Sequence, residues 1–360
     1  MDLVIYGAQS IALGAYAAIR DLCPMRKINC FLVTKRDANP EYLSGVPVLE
    51  MEAFARSLAE KEKSNIEILI ATPENVMPEI EEGLDACGLY CHVRLTSARW
   101  AELMGYYYAA NRQFLPLATL PVGCHEAELH VFMAKHYKDK PLATAYQMPE
   151  WITPIQVGAA LCEARVADIL DCDGDNISQK NVNYSELTAL YWIWKNCLQK
   201  RTGDESEFYG LSHYRRILEL SEDDRMKLVD NDVDVVLPYP MPYEPNIEMH
   251  HKRYLADSDW EALVAALTEL QPKYADYLPQ VQRQQYLYHY NIILARKKVL
   301  ADYCEWLFPV LERVENLSIP KGCDRQDRYI GYMGESLTTL YFMRNKDKLN
   351  IVYAGCRFLT

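Results

Sequence analysis

The stretch LVIYGAQSIALGAYAAIRDL, Leu3 to Leu22, decides the fold. Four apolar residues rich in β-formers lead into Gly7, and from Ser10 the apolar positions recur at helical spacing, so the segment predicts strand, tight turn and helix in succession. The alternation then repeats outward. NCFLVTK, GVPVLEM, IEILIAT and LYCHVRL read as strands, while EAFARSLAEKEK, Glu74 to Cys87 and Ala98 to Tyr108 read as helices. Continuous apolar strands separated by helices imply a parallel sheet covered on both faces, an α/β class with a Rossmann-like, doubly wound N-terminal sheet. The turn after the first strand also invites a dinucleotide reading, since a helix N-terminus presents amides to a phosphate. The G-x-G-x-x-G pattern is incomplete, however, with Gln9 and Ala12 at the second and third glycine places. Gly7 and Gly14 are therefore expected to serve turn geometry and helix packing.

The 360 residues carry 38 Lys and Arg against 50 Asp and Glu, a net charge of −12. Such a balance argues against duplex nucleic acid as the main partner, because that affinity comes from neutralising phosphates. Eleven scattered cysteines without a repeated CxxC, and no N-terminal signal pattern, read as reduced thiols in a cytoplasmic protein. No apolar run is long enough to span a bilayer, which leaves peripheral membrane association open. Length favours two domains, here 1–110 and 128–360 joined by the Pro-, Gly- and aromatic-rich linker 111–127.

The second unit begins with the strand-like LHVFMAKHY, and WITPIQVGAALCEARV reads as a short strand and then a helix. Asp171, Asp173, Gly174, Asp175 and Asn176 form a tight polar loop, extended by Ser178, Lys180 and Asn181. Asn183 followed by Glu186 is a capping-box-like start for a helix to about Asn196. Turn and cap roles account for much of this loop. FYGLSHYRRIL, Phe208 to Leu218, reads as a core strand ending in His213, Arg215 and Arg216. Strand exits are where α/β proteins place ligands, and guanidinium forks suit phosphate oxygens. In an extended strand His213 and Arg215 would share one face and Arg216 the other. Pairing of these arginines with nearby carboxylates is the bland alternative.

The order GDNIS-x-KN-x-NYSELTALYWIWKN, then YGLSHYRR, DVDVVLPYP and DYCEWLFPVL, resembles the bacterial capsular polysaccharide synthesis family long catalogued as a domain of unknown function. The resemblance spans roughly residues 128 to 345. It implies a GT-A-like α/β glycosyltransferase domain that moves a sugar from a nucleotide-sugar donor to a saccharide or lipid-linked acceptor during capsule or exopolysaccharide assembly. Many GT-A enzymes hold a divalent metal on an Asp-x-Asp pair, so a Mn or Mg ion is compatible with it. The pair here, Asp232 and Asp234, precedes its strand, where turn roles are the stronger expectation.

On this reading Glu335, His213 and Arg215 are the candidate catalytic residues. Glu335 would act as a base if burial raised its pKa, or else cap an apolar helix at its head. Family members carry an Arg where this chain has Ser336. The candidate substrate-binding residues are Asp173, Asp175, Asn176, Lys180, Asn181, Arg216, His250, His251 and Asn291, the last placed on a strand within YLYHYNIILARKKVL. The donor site is expected wholly within the second unit. Two other classes fit parts of the pattern: a non-catalytic carbohydrate-binding or assembly subunit, and an NAD-dependent oxidoreductase using the first unit.

Overall fold

The computed structural model describes residues 2–37, 39–142, 145–199 and 206–359. The opening stretch forms β1 (Asp2–Tyr6) and α1 (Ser10–Leu22), as its spacing predicts. It is followed by β2 (Ile28–Val33), β3 (Tyr42–Leu43), β4 (Val46–Glu50), β5 (Ile66–Ile70) and β6 (His92–Arg94), with helices α2 (Met51–Ser57), α3 (Glu60–Lys63), α4 (Met77–Ala86) and α5 (Ser97–Asn111). The sheet order is β3-β4-β2-β1-β5-β6, parallel throughout except for the β3–β4 hairpin. Growth reverses at β1, so the crevice beyond the carboxyl ends of β1 and β5 is the usual ligand position in such a sheet. Gly7 sits there with φ +122°, and a Cβ on it would lie 2.5 Å from the Ala71 carbonyl oxygen. Any other residue would both strain the backbone and collide.

The second sheet is built from β7 (Glu128–Lys135), β8 (Ile152–Gln156), β9 (Ile169–Leu170), β10 (Glu207–His213), β11 (Arg216–Leu218) and β12 (Val235–Pro238). A two-stranded ribbon, β13 (Met241–Pro242) with β14 (Tyr286–Leu287), stands beside it, and β15 (Ile293–Arg296), β16 (Ile351–Ala354) and β17 (Cys356–Phe358) complete it. The order is β16-β12-β15-β10-β7-β8-β9, with β11 paired to β10 and β17. Helices α6 (Asn181–Tyr184), α7 (Leu187–Asn196), α8 (Glu222–Leu228), α9 (Ile247–His251), α10 (Asp257–Leu270), α11 (Pro272–Ala275), α12 (Leu278–Arg283), α13 (Lys297–Leu317) and α14 (Tyr329–Asn345) flank this sheet. Along α13, Leu300, Tyr303, Leu307, Leu311 and Val314 recur at helical spacing and are buried. Each such side chain contributes about 1.5–3 kcal/mol relative to exposure.

Four local expectations are corrected. The segment after β8 makes only a 3-10 turn at Ala159–Leu161, because Gly158 takes a left-handed conformation there. The helix expected from Asn183 is broken at Ser185, φ 51°, and Asn183 spends its amide on the carbonyls of Arg325 and Asp327 instead of capping. Glu335 lies in the second turn of α14, too far from the helix start to cap it. Lastly, FYGLSHYRRIL does not run on as one strand. His213 pairs directly with Arg216 across a hairpin whose tip is Tyr214 and Arg215, so His213 and Arg216 share a face.

The two sheets meet through a common core cluster. Tyr108 of α5 is fully buried, contacts Phe114 at 4.9 Å and Tyr239 at 5.6 Å, and donates to the Pro240 carbonyl at 3.1 Å. Residues 111–127 are pinned as well. Pro116 bridges to Tyr353, the Tyr353 amide donates to Leu115, and Leu117 is buried.

Candidate functional site

The β13–β14 ribbon ends in Tyr243 on one side and the Tyr288–Asn291 turn on the other. Tyr290 and Asn291 both have positive φ, 69° and 51°. Such strain in non-glycine residues persists only where surroundings hold it, and here the partners are visible. The Tyr290 amide donates to Glu335 at 3.0 Å, and His213 Nε2 donates to the Tyr290 carbonyl at 2.6 Å. Asn291 Nδ2 donates to Glu186 at 2.7 Å and to the Gly331 carbonyl at 3.2 Å. Glu186 is 6% exposed, receives Arg328 at 3.1 Å, and lies 3.9 Å from His213.

This turn presents His289. Its Nδ1 faces the Glu335 carboxylate at 3.2 Å, and its Nε2 meets the Tyr243 hydroxyl. Carboxylate, imidazole and phenol thus stand in a line. Burial pushes the Glu335 carboxyl up, but the His289 imidazole, the Tyr290 amide and His213 outweigh it and hold it below the usual carboxylate range. The expectation of a raised Glu335 is therefore corrected: its charge is fixed by partners, and it orients His289. Burial pushes the Tyr243 phenol well above its ordinary value.

His250 stacks on Tyr243 with ring centroids 3.6 Å apart, and His251 bonds Ser336 Oγ through Nε2 at 2.8 Å while stacking on Trp260 at 5.1 Å. Ser336 thus has a histidine partner. Burial drives both imidazoles down, His250 to about 3 and His251 to about 4.

Arg216 lines the same wall as His289, packed on the neighbouring Tyr290. Its guanidinium lies 4.3 Å over the Tyr290 ring and 4.9 Å over Phe358. Together with His289 and Tyr290 it lines a cleft of about 100 Å³, open to solvent, whose other wall is Thr72, Ser97 and Trp100 of the N-terminal unit. This cleft draws its walls from both units, whereas the sequence places the donor site wholly after residue 128. Arg215, at the hairpin tip, instead stands 5.1 Å from the ring of its neighbour Tyr214.

The structure brings together Glu335, His213, Arg216, His250, His251 and Asn291. It sets the polar loop apart, at edge strand β9, three strands from β10. Asp175 and Asn196 exchange contacts at the C-terminal end of α7, where the Trp192 indole donates to the Asp173 carbonyl at 2.9 Å. Asn176 Nδ2 closes the loop on the Cys172 and Gly174 carbonyls. Lys180 pairs with Glu315 at 2.7 Å, and buried Asn181 holds Ser185 and Thr188. The loop's centre is Asp171, fully buried, accepting from the Gly158 and Ala159 amides and the Ser178 and Thr188 hydroxyls. Asp232 and Asp234 lie at the amino end of β12, beside Arg296, which pairs with Phe208. That is about 17 Å along β10 from His213 at strand spacing. Among the described residues no three His, Cys, Asp or Glu side chains converge as a metal site, and no helix is long and apolar enough to cross a membrane.

Sequence reasoning missed His289, Tyr243 and Glu186. The available signal for the first was a histidine between two tyrosines, adjoining Asn291.

Residues 130–346 match the family described as Domain of unknown function (DUF4422). No curated protein matches. A solved structure of WbbM, titled a bifunctional glycosyltransferase in its apo form, aligns with TM-score 0.53 at 24% identity, covering 65% of this chain and 45% of WbbM. The likeness gives this chain the α/β fold of that structure.

Proposed function

The chain belongs to the DUF4422 family, and on that footing we propose that it is a glycosyltransferase. It would transfer a sugar from a nucleotide-sugar donor to a saccharide or lipid-linked acceptor in the cytoplasm, in capsule or exopolysaccharide synthesis. We read residues 1–110 as a Rossmann-like domain, 111–127 as the join and 128–360 as a GT-A-like domain. The observation that carries the reading is that His289, joined to Glu335 and Tyr243, lines one cleft together with Arg216. The fold shared with WbbM supports it.

The roles follow from charge. Breaking the bond between sugar and diphosphate puts negative charge on the leaving group, and Arg216 is the guanidinium at that cleft. An acceptor hydroxyl must give up a proton as it attacks, and His289, oriented by the ionised Glu335, is the imidazole in this cleft placed to receive it. His213, Asn291 and Glu186 hold the turn that aims it. We assign the leaving-group charge to Arg216 and not to a Mn or Mg ion on Asp232 and Asp234. Asp232 is 99% exposed at its side chain, and Asp234 accepts from the Asn350 amide at 2.8 Å at the opposite end of the sheet.

The test is a donor-hydrolysis and binding screen over nucleotide sugars, NAD and oligosaccharides, with and without Mn²⁺. The proposal requires one nucleotide sugar to be turned over, and the turnover to collapse in Arg216→Ala. Binding of NAD alone, or of saccharide without any nucleotide, would set it aside.

A further inference from the structure

A second cleft opens on the other side of Tyr243. Its walls are the first turn of the N-terminal sheet, with Ala8, Gln9 and Ser10, and the segment carrying Tyr243, His250 and Arg253. It is open to solvent, holds about 320 Å³, and lies outside the cleft assigned above.

Several independent features converge on it. Helix α1 is 13 residues long, has no acidic residue in its first turn, and its N-cap Gln9 makes no side-chain cap. The first helical amide bonded back is Leu13, to the Gln9 carbonyl at 2.9 Å. The amides of Ser10, Ile11 and Ala12 precede it and have no intrahelical acceptor. Gly7 keeps the turn free of a covering side chain. Gln9 instead receives the Arg253 guanidinium at 3.0 Å, which holds a cation from the second sheet over the helix start. Facing them is His250, 8% exposed, whose Nδ1 has no hydrogen-bond partner. The one carboxylate in the lining, Glu244, spends both oxygens on Ser44, at 2.6 and 3.1 Å. Tyr42, Leu43, Pro242 and Pro245 give the rest an apolar wall.

We infer that this cleft is a second anion site, built to take the diphosphate of a diphosphate monoester, with its organic tail against the apolar wall. Helix amides and an arginine are a phosphate's usual partners, and they come from opposite sheets. The tail is a nucleoside or a polyprenyl chain, and binding distinguishes them. The inference stands apart from the Arg216 cleft and needs no turnover.

The test is calorimetric titration of inorganic pyrophosphate, uridine diphosphate and geranyl diphosphate into the full chain and its variants. In the Arg216→Ala variant, which removes the cation of the other cleft, pyrophosphate should still bind, and adding Arg253→Ala should weaken that binding at least about tenfold, the worth of one charge-assisted contact. Gln9→Glu should weaken binding while leaving the melting temperature unchanged or higher, since a carboxylate at a helix start is stabilising. Tighter binding of geranyl diphosphate than of pyrophosphate assigns a polyprenyl tail, and tighter binding of uridine diphosphate to Arg216→Ala assigns a nucleoside. Absence of binding by all three probes to Arg216→Ala, or equal affinity in Arg216→Ala and in the Arg216→Ala, Arg253→Ala double variant, overturns the inference.

Discussion

Replacing Glu335 by Gln is the sharpest perturbation of the proposed chemistry, because it removes one charge and almost no volume. The amide oxygen still accepts from Tyr290, so the strained turn keeps its anchor at 3.0 Å. What disappears is the negative charge 3.2 Å from His289 Nδ1. At an effective dielectric of about 20, a full charge pair at that distance is worth about 5 kcal/mol before desolvation is subtracted. In the resting protein most of this is offset, since burying a carboxylate is costly. The expected stability loss is therefore only about 1–2 kcal/mol. When His289 takes up a proton the attraction is realised, so the penalty falls on kcat. General acid–base groups contribute about 10²–10⁴-fold, and Glu335→Gln should cost within that range with KM held to a few-fold. The assay is donor turnover at saturating acceptor, with thermal unfolding run on the same preparations. The sign with pH is fixed as well. Because partners depress the Glu335 pKa, its charge stabilises the fold above the ordinary carboxylate range and is lost only as pH falls below it. A variant that folds and keeps kcat within about threefold of the unaltered chain would refute the orienting role.

Arg216→Ala should lower kcat/KM about a hundredfold, from a charge-assisted contact of about 2–3 kcal/mol, and Arg216→Lys should restore it only in part because a point charge lacks the two-pronged geometry. Asp171→Asn should lower unfolding free energy in urea by about 3 kcal/mol, since four donors converge on that buried carboxylate, while Asp175→Asn should change turnover by less than about threefold. His250 and His251 are held neutral when folded but take up protons when unfolded below about pH 6.5, so stability should fall between about pH 6.5 and 4 by up to about 1.4 kcal/mol per pH unit for each, and His250→Gln should flatten the slope.

The N-terminal sheet was legible because its strands are apolar on both faces and its helices keep a 3.6-residue period, signals that local sequence carries in full. α1 ends where its pattern ends. The candidate site was legible only in pieces. His213 and Arg216 stood out as polar groups after an apolar strand, yet their shared face depends on a hairpin whose tip, Tyr214 and Arg215, holds none of the usual glycine or asparagine turn signals. The GDNIS loop drew attention by composition, but its polarity is directed inward, to Asp171 and α7. His289 escaped notice since its partner Glu335 is 46 positions away and the strain at Tyr290 and Asn291 is imposed by tertiary contacts that no local window contains.

Those contacts also explain why both clefts lie between the two sheets. The ribbon carrying Tyr243 and His289 packs against the N-terminal unit, with Ser44 bonded to Glu244 and the Ser10 hydroxyl to the Tyr243 phenol. On the other side the Phe358 amide donates to Ser97 at 2.9 Å, beside Arg216. The N-terminal sheet therefore fixes the far wall of one cleft and the helix start of the other, while the line from Glu335 through His289 to Tyr243 runs between them. On the proposed reading the portion of the chain that matches the family supplies the reacting groups, and the preceding sheet walls both clefts around them.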